Sequence, residues 1–160
     1  MLLTRLDREK VFARPRGRKL VLAIPLRLLN TANRLHTQPM FSREVLDHFQ
    51  NPRNAGELKD ATAIVDVSNP VCGDILKVAV RVENDRISQA RFLCRGCTTS
   101  IACASRLTEL LTGLPIRELH EITAELLTTT FGELAPETIH GAYLAADAAQ
   151  ALVAKLNTTR

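Results

Sequence analysis

At 160 residues, 46% hydrophobic and 24% charged, the chain fits one soluble globular domain with an adequate core. The +4 net charge is unevenly spread: residues 1–39 hold nine Lys/Arg and two Asp/Glu, residues 40–160 twelve and fifteen, so the domain proper is mildly acidic. Four cysteines without secretory framing argue against a disulfide-stapled fold and for thiol or metal chemistry in a reducing compartment, with the cytoplasm as the expected location.

Residues 1–39 show no sustained period. Arg14-Pro15-Arg16-Gly17-Arg18-Lys19 is a basic, breaker-rich run. Residues 20–29 are apolar, but Pro25 and Arg27 interrupt them and the run is too short to span a membrane. Three readings compete for this extension. The favoured one is a start assigned too early, with the folded domain at 40–160 beginning at Met40. The second is a targeting leader, Arg-rich but carrying Asp7 and Glu9. The third is a nucleic-acid or membrane-surface arm. A basic run is usually just solvated, and this one lacks the interleaved aromatics of a single-strand binder. A disordered extension with no nucleic-acid and no membrane partner is therefore expected.

Ser42 can cap a short helix over 43–50, with Phe41 and Leu46 placed for a hydrophobic staple and Asn51-Pro52 ending it. Ala63, Val65 and Val67 alternate with Thr62, Ile64 and Asp66, which predicts a first strand. Leu76, Val78, Val80 and Val82 give a second, Asn84-Asp85 a turn, and Ala90, Phe92 and Cys94 a third. Short connections make the three strands antiparallel neighbours. Helical patterns follow at 97–112, 115–121, 123–131 and 137–156. Strands first and helices after predict an α+β domain: a three-stranded antiparallel sheet with helices packed on one face.

The chemistry gathers at a few of the connections. Cys72 and Asp74 lie in Asn69-Pro70-Val71-Cys72-Gly73-Asp74, a tight loop between two strand patterns. Cys97 follows Gly96 and opens a helical pattern, where the dipole favours a thiolate. His140 lies in the first turn of the last pattern, opposite an apolar face through Ala142, Ala146, Ala149, Val153 and Leu156. It must face either solvent or a site. Thiols, an imidazole and a carboxylate together make a metal-ligand set; the bland alternative is an ordinary turn with a buried thiol. Cys94 and Cys97 form a C-x-x-C, but without a βαβ context a redox pair is disfavoured, and Cys94 shares its strand face with Phe92. Cys103 points about 120° away from Cys97 at ~100° per residue, on the side of Leu107, Leu110 and Leu111, and is expected in the core. His36, His48 and His120 lack ligand-like spacing.

Several of these stretches also resemble a known family. Phe41-Ser42-Arg43-Glu44-Val45-Leu46-Asp47-His48-Phe49-Gln50-Asn51-Pro52-Arg53-Asn54-Ala55-Gly56 is similar to the opening of the NifU/IscU/SufU-type iron–sulfur cluster assembly scaffolds. The loop from Asn69 to Asp74, the Gly96-Cys97 junction with its small-residue helix, and Ile139-His140 resemble that family's ligand segments, in the right order. The resemblance implies an IscU-like fold and places His140 at the site, with Cys72, Asp74 and Cys97 as its other donors. It implies a scaffold, not an enzyme in the turnover sense, that takes sulfur from a cysteine desulfurase. Such a scaffold binds iron or a [2Fe–2S] cluster and passes it to apo iron–sulfur proteins, as a monomer or weak homodimer. The family includes members with zinc on an Asp/Cys set that act in sulfur transfer, which gives the alternative; a non-metallic interaction protein on the same fold is the third. The family's third ligand cysteine directly follows the histidine, and here that position is Gly141. A cysteine placed there is expected to add a thiolate and leave the fold unchanged. Leu134-Ala135-Pro136-Glu137-Thr138 also departs from the stretch that dedicated chaperones read in part of the family.

Overall fold

The computed structural model describes residues 41–158 except 133, 135 and 137. The expectations for residues 1–39, including His36, lie outside the described residues. In chain order the elements are α1 (Arg43–Gln50), β1 (Ala63–Ser68), β2 (Ile75–Glu83), β3 (Arg86–Arg95) and α2 (Thr98–Leu111). A 3-10 helix (Ile116–Glu121), α3 (Ala124–Thr129) and α4 (His140–Thr158) complete them. The sheet has the order β1-β2-β3, antiparallel throughout, in the predicted α+β arrangement.

The strands follow their alternation. Val65, Leu76, Val78, Val80, Ala90 and Phe92 are buried on the inner face, while Ile64, Ile75 and Leu93 stay exposed on the outer one. Asn84 and Asp85 both take positive φ, 52° and 59°, which gives the β2–β3 hairpin a turn whose twist matches its strands. Helices α2 and α4 lie against the inner face and share one core cluster with it. In α4 the buried stripe is wider than the sequence pattern suggested. It includes Leu144, Ala145, Ala148 and Leu152, because the helix packs on α2, α3 and β1 at once. It also begins at His140 rather than at 137.

Ser42 caps α1 by accepting a hydrogen bond from the Val45 N–H at 3.2 Å. Val45 enters the core fully buried, whereas Leu46 is 37% exposed. The other anchor of α1 is His48. Its Nδ1 lies 2.9 Å from Ser105 Oγ on α2, and its ring meets Phe131 edge-on with centroids 5.4 Å apart. Ser105 Oγ also accepts from the Arg53 N–H at 2.8 Å. Burial pushes the His48 pKa below its ordinary 6.5; Arg53 and Arg106 add to this, and Glu109 and Asp47 oppose it. The folded state therefore favours the neutral ring. Its contribution to stability is complete above 6.5 and is lost as pH falls from there through the depressed folded value. Melting temperature measured against pH should fall below 6.5 more steeply in the wild type than in His48→Gln. Parallel curves would remove His48 from this role.

Candidate metal and sulfur site

The loop after β1 is built by its own hydrogen bonds. Asn69 Oδ1 accepts from the Val71 N–H at 2.9 Å, and the Asn69 carbonyl accepts from the Gly73 N–H at 2.8 Å. Gly73 sits at φ 74°, a left-handed conformation that suits glycine. The turn lifts Val71 (84% exposed) and Cys72 into solvent, then returns Asp74 to a buried position (6%).

Across from this loop, β3 ends at Arg95, and Gly96 and Cys97 lead into α2. Cys97 is the N-cap of α2, and its Sγ accepts from the Ser100 N–H at 3.4 Å. Its own N–H donates to Asp74 Oδ2 at 3.3 Å, and Ser100 Oγ donates to the same oxygen. Ser100 Oγ is also 3.3 Å from Cys97 Sγ. Burial pushes the Asp74 pKa up, but hydrogen bonds from Ser100, the Cys97 backbone, and the Cys97 and Cys72 thiols outweigh it and hold it below the ordinary carboxylate value. Asp74 thus sits against the start of α2, bonded to the Cys97 N–H and to Ser100. Ser100 is the residue that the sequence reading missed. The only signal for it was a hydroxyl three places after an N-cap, the position that faces the cap.

His140 is exposed at the first residue of α4. Its neighbour Gly141 is buried against the start of α2. A Cβ at 141 would lie 2.7 Å from Ser100 N and 2.7 Å from the Thr99 carbonyl carbon, inside the contact distance of real Cβ atoms. The expectation that a cysteine at 141 would leave the fold unchanged is therefore corrected: position 141 is turned toward the α2 backbone, with no room for a side chain. Hydrogen bonds join Asp74 to the Cys97 N–H and to Ser100 Oγ. Among the described residues, no group of three or more His, Cys, Asp or Glu is spaced to hold a metal ion.

The other two cysteines differ. Cys103 is fully buried, and burial pushes its thiol up to about 12. Cys94 is only partly buried; burial, then the charges of Asp74 and Cys97, push it up to about 12.

Residues 40–160 match the NifU-like N terminal domain family. The chain is 41% identical over 109 residues to iron-sulfur cluster assembly scaffold protein IscU 1 of Archaeoglobus fulgidus, covering 68% of this chain and 71% of that one. It is 36% identical over 77 residues to the zinc-dependent sulfurtransferase SufU of Bacillus subtilis, covering 48% and 52%. The fold is similar to that of a putative SUF-system scaffold protein from Fervidobacterium islandicum AW-1. The TM-score is 0.61 at 16% identity, over 70% of this chain and 95% of that structure. This chain belongs to the NifU-like N-terminal domain family.

Proposed function

We propose that this protein is an iron–sulfur cluster assembly scaffold and carrier, with Cys72, Asp74, Cys97 and His140 as the donors to its cargo. The observation that carries the reading is the buried Asp74 carboxylate, hydrogen-bonded to the N–H of exposed Cys97 and lying at the end of the loop that exposes Cys72. Similarity to scaffold proteins named for cluster assembly supports it. Cys72 and Cys97 are both exposed and so accessible to a partner protein. In loading, the thiolate of either cysteine attacks the outer sulfur of a cysteine desulfurase persulfide. A new S–S bond forms on this chain, the donor S–S bond breaks, and the donor leaves as its thiolate. Iron is the second substrate, and thiolates hold it strongly. Asp74 is a harder, weaker donor, already committed to Ser100 and the Cys97 N–H. Mixed ligation near the surface suits a cargo that must be released to apo acceptors.

Zinc is the second reading, favoured by similarity to a zinc-dependent sulfurtransferase. The donor types fit it: two thiols, a carboxylate and an imidazole suit a tetrahedral zinc ion, and the bound metal would organise Cys72 and Cys97 for sulfur transfer. Among the described residues, no helix is long and apolar enough to cross a membrane. We place the protein in the cytoplasm as a monomer or weak homodimer. Metal and sulfide analysis after anaerobic purification separates the readings. Iron with sulfide is the expected result; zinc alone supports the second reading, and neither metal contradicts both.

A further inference from the structure

We propose that the outer face of the sheet carries a binding site for a small organic monoanion with an apolar tail, seated over Ala79. It uses none of the cargo donors, so it stands or falls separately from the scaffold reading. The strand register builds the hollow. Ile64, Ala79 and Arg91 form one row across β1, β2 and β3, and Asp66, Lys77 and Leu93 form the next. Val78 and Val80 are buried in the core, so Ala79 and Lys77, which alternate with them, face outward. An alanine in the middle of its row leaves a gap between two longer side chains. Residues 56–59 wall this gap, and Ala79 is only 7% exposed although it faces outward. The cavity measures about 300 Å³, the size of a small-ligand pocket. Its wall is fixed to β3: the Gly56 N–H donates to the Phe92 carbonyl at 2.8 Å, and the Phe92 N–H to the Asn54 carbonyl at 3.1 Å.

Charge selects the occupant. Three cations line the cavity, Lys59, Lys77 and Arg91, against one carboxylate, Glu57. Lys77 already faces Asp66 at 3.7 Å. Lys59 and Arg91 have no ion-pair partner among the described residues. Arg91 is half-buried, and a guanidinium with its fork of donors free matches the two oxygens of a carboxylate. Ile64, Leu93 and Ala79 supply apolar surface for a tail. Glu57 repels a second negative charge, which favours a monoanion over a dianion.

Sodium octanoate, titrated calorimetrically into the full chain, is the probe. Acetate, which keeps the charge without the tail, and octylammonium, which keeps the tail with the opposite charge, should both bind more weakly. Arg91→Gln and Lys59→Gln should each weaken octanoate binding about two- to fivefold, the range of a partly exposed ion pair. Glu57→Gln should tighten it by a similar factor. Ala79→Leu fills the hollow and should abolish binding; if that variant does not fold, the three charge variants decide alone. Octylammonium binding as tightly as octanoate overturns the inference. So do charge variants that match the wild type, or a wild type that does not bind octanoate.

Discussion

Gly141→Ala and Gly141→Cys are both expected to destabilise the domain by about 1–3 kcal/mol, the usual cost of forcing extra atoms into a packed contact. Two effects oppose each other here. Glycine inside a helix is worth up to about 1 kcal/mol less than alanine, which favours the substitution. Against this, the new Cβ would stand 2.7 Å from Ser100 N and 2.8 Å from Thr99 O. These are backbone atoms at the first turn of α2, held in place by the Cys97 cap and the Ser100–Asp74 hydrogen bond. They cannot move aside as a side-chain tip would, so the clash wins. Because the offending atom is Cβ itself, the two variants should lose similar stability in denaturant unfolding. An alanine variant as stable as the wild type, or more so, would show that α4 sits further from α2 than described.

Gly96→Ala is expected to be as damaging, by a different route. Its Cβ would lie 2.7 Å from Asp74 Cγ and 2.9 Å from Oδ2. Asp74 is short and buried, so it can yield only by leaving its hydrogen bonds to Ser100 Oγ and the Cys97 N–H. Hydrogen bonds to a charged group contribute about 1.5–3 kcal/mol each, so the expected loss is at least about 1.5 kcal/mol. Retention of a reconstituted cluster should fall with it, because the displaced carboxylate is a proposed donor and holds the Cys97 N–H. A double-mutant cycle isolates the cause. In an Asp74→Ala background the carboxyl group is gone and only the 3.0 Å approach to the residue 74 Cβ remains, so Gly96→Ala should cost clearly less than in the wild type. An unchanged cost in that background would mean the methyl acts on something other than Asp74.

Much of the fold was legible because local patterns and tertiary packing agree. The strands alternate cleanly, Ser42 caps α1, and Asn84-Asp85 supplies the positive-φ pair that the hairpin needs. Helix limits were less legible. Pro136 looked like the opening of a helix at 137, but α4 starts at His140, where it meets α2. Position 115 precedes a 3-10 helix rather than an α-helix. Of the site, the Cys72 loop and the Cys97 junction were readable from Gly, Pro and cysteine placement. Ser100 was not, because a serine in a helix looks the same whether or not a carboxylate from another strand reaches it. The steric reason for Gly141 was also hidden. It depends on the distance between two helix starts more than forty residues apart in sequence, which no local pattern encodes.

The most direct test compares two cysteines six residues apart on one helix. After identical anaerobic reconstitution with ferrous iron and sulfide, cluster content is measured for Cys97→Ser and Cys103→Ser. Cys97 is exposed and tied to Asp74, so its variant should fold like the wild type and hold little or no cluster. Cys103 is fully buried, so its variant should keep the cluster and lose roughly 1–3 kcal/mol of stability to an unsatisfied hydroxyl. A Cys97→Ser protein that retains the cluster, with a Cys103→Ser protein that loses it, would contradict the account.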